Sequence, residues 1–121
     1  MAKFDILIAE DDTVLRDLYL RKMNREKYDV RTAENGQTAL DMILTKAPNL
    51  LLLDINMPIL DGFELLEKLP VDKRTFPVII LTNLADQFNR ERGAKFNVAD
   101  YFVKKDMTVK MLIEMIEKHV K

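Results

Sequence analysis

The sequence predicts an α/β protein in which five helices cover both faces of a five-stranded, doubly wound parallel sheet. Short apolar runs alternate along the chain with stretches whose apolar residues recur every three or four positions. This alternation is typical of strands and helices that follow one another in a parallel sheet. Two runs, LLLL at 50–53 and VIIL at 78–81, are apolar at every position. Such runs favour strands that are buried on both faces.

The predicted strands are bounded by residues that suit strand ends. Pro48 and Pro77 each precede an apolar run, where a missing N–H does little harm. Asn35-Gly36 separates the second strand from the second helix, and we expect a positive φ there. The five predicted strands are FDILIA, YDVRTA, NLLLLD, PVIILT and DYFVK, at residues 4–9, 28–33, 49–54, 77–82 and 100–104.

The helices are predicted from apolar residues that share one helical face. The last helix has the clearest stripe, and Thr108 is placed to cap its first turn. The fourth helix, about residues 86–96, has sparse apolar positions, and Asn97 suits its left-handed end. The apolar positions of the first, second and last helices are Leu15, Leu18 and Tyr19; Leu40, Ile43, Leu44 and Ala47; and Val109, Leu112, Ile113, Ile116 and Val120.

Composition limits the class of protein. The 121 residues are enough for one domain, 1–121, and 48% of them are hydrophobic. A formal net charge of −1 argues against direct nucleic-acid binding. The sequence has no cysteine, so disulfides and thiolate metal sites are excluded. It has no signal-peptide pattern and no apolar run near the ~20 residues of a membrane helix. We therefore predict a cytoplasmic domain without membrane contact.

Acidic residues crowd together after the first predicted strand. Glu10, Asp11 and Asp12 are consecutive, although like charges at 4 Å repel by roughly 4 kcal/mol per pair in protein-like dielectric. In an open parallel sheet, the carboxyl ends of the strands meet at one edge, where ligands bind. We expect the acids to share that edge with the last residues of the third, fourth and fifth strands, Asp54, Thr82 and Lys104.

These side chains suit phosphoryl transfer to an aspartate. Carboxylates are ligands that Mg²⁺ accepts, and a divalent cation would offset their repulsion. Thr82 supplies a neutral hydroxyl donor, and Lys104 supplies a cation that faces an anion. A nucleophilic carboxylate, here Asp54, together with a metal and an ammonium group is what this chemistry requires.

Four segments resemble the receiver domain of a two-component response regulator over almost the whole chain. They are LIAEDD, LLLLDINMPILDGFELL, VIILTN and ADYFVKK, of which D-I-N-M-P-x-x-D-G is the most specific. The resemblance implies a flavodoxin-like fold with strand order 2-1-3-4-5. It also implies a phosphoprotein whose Asp54 accepts a phosphoryl group from a sensor histidine kinase.

The resemblance further implies a metal site. Asp11, Asp54 and the backbone carbonyl of Asn56 would hold Mg²⁺, and Glu10 would reach it through water. Asp12 matches a position that is often acidic but lies outside the metal pair, and it is interpreted as the start of a helix.

The same resemblance assigns the phosphoryl oxygens and the switch. Thr82 and Lys104 would bind the phosphoryl oxygens beside Asp54. Tyr101 matches an aromatic residue that turns inward when Thr82 moves toward the phosphate. The surface formed by the last two strand–helix units would then change.

Three positions depart from the family pattern. Lys105 replaces the proline that usually follows the lysine through a cis bond, so we predict a trans Lys104–Lys105 bond or a strained cis one. Asn83 replaces a small residue and either crowds the entrance or adds a donor. Leu84 cannot orient water, which predicts a longer-lived aspartyl phosphate.

The predicted function is a signalling switch that catalyses only its own phosphorylation and dephosphorylation. No output segment follows Lys121, so the chain either contacts an unidentified output protein directly or has been separated from an output domain. Met111 and Met115 are predicted to be exposed on the last helix, where they would be ordinary surface residues or part of a partner or homodimer patch with the fifth strand.

Two alternatives belong to other classes of protein, and a third is a variant of the receiver domain. An aspartate-nucleophile phosphohydrolase would need an acid-x-acid spacing, whereas these acids are contiguous. A flavin or nucleotide binder would need N–H groups and hydroxyls at the first turn, where acids repel phosphate. A degenerate receiver that binds partners without phosphorylation is consistent with Lys105 and Asn83.

Overall fold

The structure, a computed structural model, describes residues 3–23, 25–83, 87–105 and 107–120, without the side chains of residues 87–90. It contains one parallel sheet with strand order β2-β1-β3-β4-β5, which confirms the predicted fold class. The strands are β1 (Phe4–Ala9), β2 (Tyr28–Ala33), β3 (Leu50–Asp54), β4 (Val78–Thr82) and β5 (Asp100–Val103). The helices are α1 (Thr13–Lys22), α2 (Gly36–Thr45), α3 (Gly62–Glu67), α4 (Gln87–Lys95) and α5 (Val109–Glu117), with a 3₁₀ turn at Val71–Lys73.

The predicted element bounds differ from the observed ones by at most one residue where both are described. Asn49 and Pro77 lie just before β3 and β4, and Lys104 follows β5 instead of ending it. The predicted start of the fourth helix, Asp86, lies outside the described residues. None of the described helices is long and apolar enough to cross a membrane.

Two apolar clusters, one on each face of the sheet, form the core. Neighbouring strand residues point to opposite faces, so a strand covered on both sides is apolar throughout. One cluster lies beneath α2 and α3 and includes Leu7, Ala9, Leu51, Leu53, Val78 and Ile80. The other lies beneath α1 and α5 and includes Ile6, Ile8, Leu50, Leu52, Ile79 and Leu81.

Polar side chains cap the first turns of several helices. Asp12 caps α1 by accepting the N–H groups of Val14 and Leu15, which agrees with its interpretation as a helix start. Thr108 caps α5 as predicted by accepting the N–H of Met111. Asp61 forms a capping box with Glu64, which the sequence analysis did not anticipate.

The expected positive φ at Asn35-Gly36 is wrong. Asn35 is an extended N-cap of α2 with φ −156°, and no described glycine has a positive φ. Gly36 is needed for space instead, because a Cβ there would overlap the carbonyl oxygen of Leu60. Asn97, by contrast, has φ 54° and ends the α4 segment in the left-handed conformation, as predicted.

Of the two methionines of α5 that were predicted to be exposed, one is exposed and the other is half-buried. Met111 is 40% exposed, as predicted. Met115 is half-buried and packs against the core cluster beneath α1 and α5, so its predicted exposure is wrong. Both methionines line a shallow cleft of about 220 Å³ together with Glu114 and Lys118.

A buried aspartate at the amino edge of the sheet, Asp5, holds two cations. Its Oδ1 accepts from Arg31 Nε at 3.0 Å, and its Oδ2 lies 3.5 Å from Lys46 Nζ. Asp5 is 5% exposed, so its carboxylate depends on these partners. Asp5→Asn should lower the free energy of unfolding by about 2 kcal/mol, since it leaves Arg31 without its counter-charge.

Urea denaturation at neutral pH would test the Asp5 prediction. Asp29→Asn is the matched control, because Asp29 is exposed and pairs with Asp5 in the β1–β2 register. Equal unfolding midpoints for the two variants would show that the ion pairs of Asp5 contribute nothing.

Candidate functional site

A cleft of about 410 Å³ opens at the carboxyl edge of the sheet. Most of the predicted site residues line it, although they are far apart in the chain. Thr82 is not among the lining residues; it ends β4 and is buried. The lining residues are Glu10, Asp11, Asp12, Leu15, Asp54, Asn56, Asn83 and Lys104.

Three carboxylates converge within this cleft. One oxygen each from Glu10, Asp11 and Asp54 lies within 4.8 Å of the others. Glu10 is fully buried and Asp54 is 5% exposed, whereas Asp11 is exposed. The Glu10 N–H donates to the Ala33 carbonyl at 3.0 Å, so β2 fixes the chain where it leaves β1. Two acids are thus held in low dielectric and the third faces solvent.

Lys104 provides the opposing charge. Its Nζ lies 2.6 Å from Glu10 Oε1 and 3.4 Å from Asp54 Oδ2, and its side chain is 8% exposed. Its backbone N–H donates to the Thr82 carbonyl at 2.7 Å, which fixes Lys104 at the end of β5. The described residues contain no cis peptide bond, so of the two predicted alternatives the Lys104–Lys105 bond adopts the trans one.

The contact between Lys104 and Glu10 is an ion pair without good hydrogen-bond geometry. Glu10 Oε1 has no hydrogen-bond partner among the described residues although it is fully buried. Glu10 Oε2, in contrast, accepts the N–H of Asp12 at 3.1 Å. A buried oxygen of this kind has unused acceptor capacity toward a cation or a water.

Burial raises the pKa of Asp54 from 3.8 to about 8. The negative charge of Glu10 acts in the same direction, as do hydrogen bonds with Glu10 and Asp11, while Lys104 acts against them. Lys104 lowers the pKa of Asp54 less than burial and Glu10 raise it, because its ammonium lies closer to Glu10 than to Asp54. Without a further cation, the Asp54 carboxyl therefore holds its proton more tightly than an ordinary aspartate does.

The donor set fits a small divalent cation. Three carboxylates and one ammonium leave a formal charge of −2, which one divalent ion would balance. Hard oxygen ligands suit Mg²⁺, which keeps several waters and so needs an open site. Asp11 is exposed and its carboxylate converges with that of Asp54, whereas Glu10 Oε1 already contacts the Lys104 ammonium at 2.6 Å. Asn56 is adjacent, and its N–H donates to Asp54 Oδ1 at 3.3 Å.

The other predicted site residues lie around this centre. Asn83 is exposed and lines the cleft. Tyr101 is half-buried on β5 and packs against the core cluster beneath α2 and α3. Leu84, predicted to prolong the aspartyl phosphate, lies outside the described residues.

Sequence reasoning missed two contributors to the site. Leu15 of α1 forms part of the wall of the cleft, and its helical periodicity gave no sign of this. Gly62 donates its N–H to the Ile55 carbonyl at 2.8 Å, and a Cβ there would lie 2.6 Å from the Asp54 carbonyl oxygen. The motif D-I-N-M-P-x-x-D-G contains Gly62 but does not indicate that this glycine sets how closely α3 approaches Asp54.

A second cleft, of about 350 Å³, lies at the opposite edge of the sheet. Its charged residue, Arg74, donates to the carbonyls of Leu69, Phe96 and Asn97. Burial lowers the pKa of Arg74. Because Arg74 is engaged with backbone carbonyls and no carboxylate lines this cleft, it lacks the groups for phosphoryl transfer.

Comparison with protein families decides between the classes that such a cleft could serve. Residues 6–117 match the family model of the response regulator receiver domain. The chain belongs to this family. The match begins within β1 and ends with α5, and it includes every residue that lines the acidic cleft.

Curated relatives and solved structures agree with this membership. The chain is 34% identical over 99 residues to the alkaline phosphatase synthesis transcriptional regulatory protein PhoP of Bacillus subtilis, covering 82% of this chain and 41% of that one. The chain thus spans about two fifths of that relative's length. The receiver domain of the Francisella response regulator 1452 has 30% identity and a TM-score of 0.86, covering 95% of this chain and 94% of that one.

A chemotaxis protein supports the fold alone. CheY4 of Vibrio cholerae has a TM-score of 0.87 with 21% identity, covering 98% of this chain and 100% of that one.

Proposed function

We propose that this chain is a phosphoacceptor signalling switch in which Asp54 accepts a phosphoryl group from a histidine kinase, in a Mg²⁺-dependent reaction. The observation that carries the proposal is the placement of Asp54 in an open cleft, between two further acids and the Lys104 ammonium. The degenerate-receiver alternative is not favoured, because the acids and the lysine that the chemistry needs all converge there.

The two oxygens of Asp54 have different surroundings. Oδ1 accepts the N–H of Asn56, and Oδ2 faces Lys104. In the proposed reaction, an ionised Asp54 oxygen forms a bond to the phosphorus of a phosphohistidine. The phosphorus–nitrogen bond breaks, and its electron pair returns to the imidazole nitrogen. The carboxyl must lose its proton before it can attack, since its pKa is raised to about 8.

The chain's other residues position and neutralise charge, which supplies most of the catalysis in phosphoryl transfer. Lys104 would bind one phosphoryl oxygen, and the Thr82 hydroxyl would bind another once β4 brings it to the cleft. Glu10, Asp11, Asp54 and the Asn56 carbonyl would hold Mg²⁺. When bound, Mg²⁺ would neutralise the carboxylates and the transferred phosphoryl group.

The partners and setting of the switch form part of the proposal. A sensor histidine kinase would be the donor, and an output protein would contact the surface of the last two strand–helix units. The proposal includes a homodimer through α5 and β5, with the exposed Met111 at its surface. We propose a cytoplasmic domain that catalyses only its own phosphorylation and dephosphorylation and makes no direct nucleic-acid contact.

Intact-protein mass spectrometry after incubation with acetyl phosphate and Mg²⁺ tests the acceptor. We expect one phosphoryl adduct on the native chain and on Asp17→Asn, an exposed position of α1. We expect no adduct on Asp54→Asn. A native chain that remains unmodified, or an Asp54→Asn variant that is modified equally, would refute the proposal.

The metal ligands predict a difference between two neighbouring acids. Asp11→Asn should weaken Mg²⁺ binding at least tenfold, because one of three converging carboxylates is lost. Asp12→Asn is the matched control, since Asn caps a helix as well as Asp does and Asp12 is not in the converging group. Isothermal titration with MgCl₂ measures both affinities. Equal losses for the two variants would exclude Asp11 as a specific ligand.

A further inference from the structure

We infer that Gly93 is a positioning residue whose missing side chain creates the space in which the end of the Tyr101 ring lies. Gly93 is buried within α4, and Tyr101 is on β5. A Cβ built on Gly93 would overlap the Tyr101 hydroxyl oxygen and lie 2.7 Å from its Cζ. The same Cβ would lie 3.2 Å from Ile80 Cδ1. The tyrosine and the absent side chain therefore compete for one volume.

The backbone gives no other reason for this glycine. Gly93 lies inside α4 (Gln87–Lys95), where glycine is among the least favourable residues. No described glycine has a positive φ, so its conformation is open to any L-residue. The remaining reason for glycine at position 93 is the space that the Tyr101 ring occupies.

The effect of a larger residue at a glycine position depends on which atoms its Cβ would meet. At Gly36 and Gly62 the nearest atoms are backbone atoms, of Leu60 and of the end of β3, and these can move only if the main chain itself moves. At Gly93 the nearest atoms are the end of a side chain that can change rotamer. A methyl group at position 93 would therefore displace the Tyr101 ring from its half-buried place against the core cluster and turn it toward solvent.

This role goes beyond phosphoryl transfer. The size of residue 93 sets the resting position of Tyr101, and with it the shape of the surface between α4 and β5. In the Gly93→Ala protein, the Tyr101 ring should stay in the displaced position whether or not Asp54 is phosphorylated. The inference does not need Asp54 to be the acceptor, so it can fail or succeed independently of the proposed function.

Nuclear magnetic resonance of protein isotope-labelled at tyrosine Cζ reports the ring directly. The chain has three tyrosines, of which Tyr19 and Tyr28 are buried elsewhere, and Tyr101→Phe assigns the third signal. We expect Gly93→Ala to move the Tyr101 signal toward that of free tyrosine and leave the other two unchanged. The exposed neighbour substitution Ala94→Ser should move none of them. A folded Gly93→Ala protein with an unchanged Tyr101 signal would overturn the inference.

A thermal double-mutant comparison provides a second readout. Alanine is the better helix former, so Gly93→Ala should raise Tm by several degrees when Tyr101 is already alanine. In the native background the gain should be smaller or reversed, because the ring loses its packing. The same Tm shift in both backgrounds would contradict the inference. So would a Gly93→Ala/Tyr101→Ala protein that fails to fold, since another group would then be responsible for the collision.

Discussion

Asp54→Asn is expected to stabilise the metal-free protein at pH 9 by on the order of 5 kcal/mol, because each unit of pKa shift corresponds to about 1.4 kcal/mol. At pH 5 the same substitution should change stability little. Asn resembles the protonated carboxyl in shape and charge, and it removes one of three converging negative charges. A substitution that abolishes the proposed acceptor would thus make the fold more stable.

The sign follows from the direction of the pKa shift. The pKa of Asp54 is raised from 3.8 to about 8, so the folded protein holds this proton more tightly than the unfolded chain does. The stabilisation is fully present below about pH 4 and is lost as the pH rises through about 8. Mg²⁺ should restore much of it, because a cation that binds only the folded state stabilises that state.

Urea denaturation at pH 5 and pH 9, with EDTA or with excess Mg²⁺, measures these effects. Asp17→Asn removes an exposed acid from α1 and should show no comparable dependence on pH or Mg²⁺. If Asp54→Asn lowered the stability of the metal-free protein at pH 9, the raised pKa would be the wrong explanation of the site.

Gly62→Ala is expected to lower the free energy of unfolding by about 3 kcal/mol and to impair the site at the same time. The new Cβ would lie 2.6 Å from the Asp54 carbonyl oxygen and 2.8 Å from Ile55 Cα. Both are backbone atoms, so α3 must move away from the end of β3. The Gly62 N–H would then lose its bond to the Ile55 carbonyl.

The two consequences of Gly62→Ala are measured separately. Denaturation gives the loss of stability, and titration with Mg²⁺ under fully native conditions gives the change at the site, which we expect to be at least tenfold in affinity. Glu67→Ala, an exposed change in the same helix, is the control. A Gly62→Ala protein with native stability would show that α3 can retreat without cost.

Features with a local signal could be predicted from the sequence. The apolar runs predicted every strand to within one residue, and for β3 and β4 the reason is that burial on both faces leaves little choice of residue type. The acids after β1 predicted the edge of the sheet that holds the cleft, since parallel strands bring their carboxyl ends together. Thr108 and Asn97 predicted helix ends through their own side chains and conformations.

Features that depend on close approach between distant segments gave no such signal. The sequence does not show that Leu60 lies over Gly36 or that the Tyr101 ring lies against Gly93. It also did not show that Asp5 is buried and forms ion pairs with Arg31 and with the exposed Lys46, since a charged residue in a strand is usually exposed. The exposure of Met115 was predicted wrongly for a related reason. The core cluster beneath α1 and α5 also contacts the side of α5 on which Met115 lies.

The ion pair between Glu10 and Lys104 joins residues that follow the first and the last strands of the chain. During synthesis on the ribosome, a nascent polypeptide that lacks β5 has neither this lysine nor the partner for the open edge of β4. Such a fragment therefore contains the acidic side chains of the cleft but lacks the ammonium group that phosphoryl transfer uses. Competence to receive a phosphoryl group should appear abruptly, with the last strand, and should be absent from any fragment that ends before it.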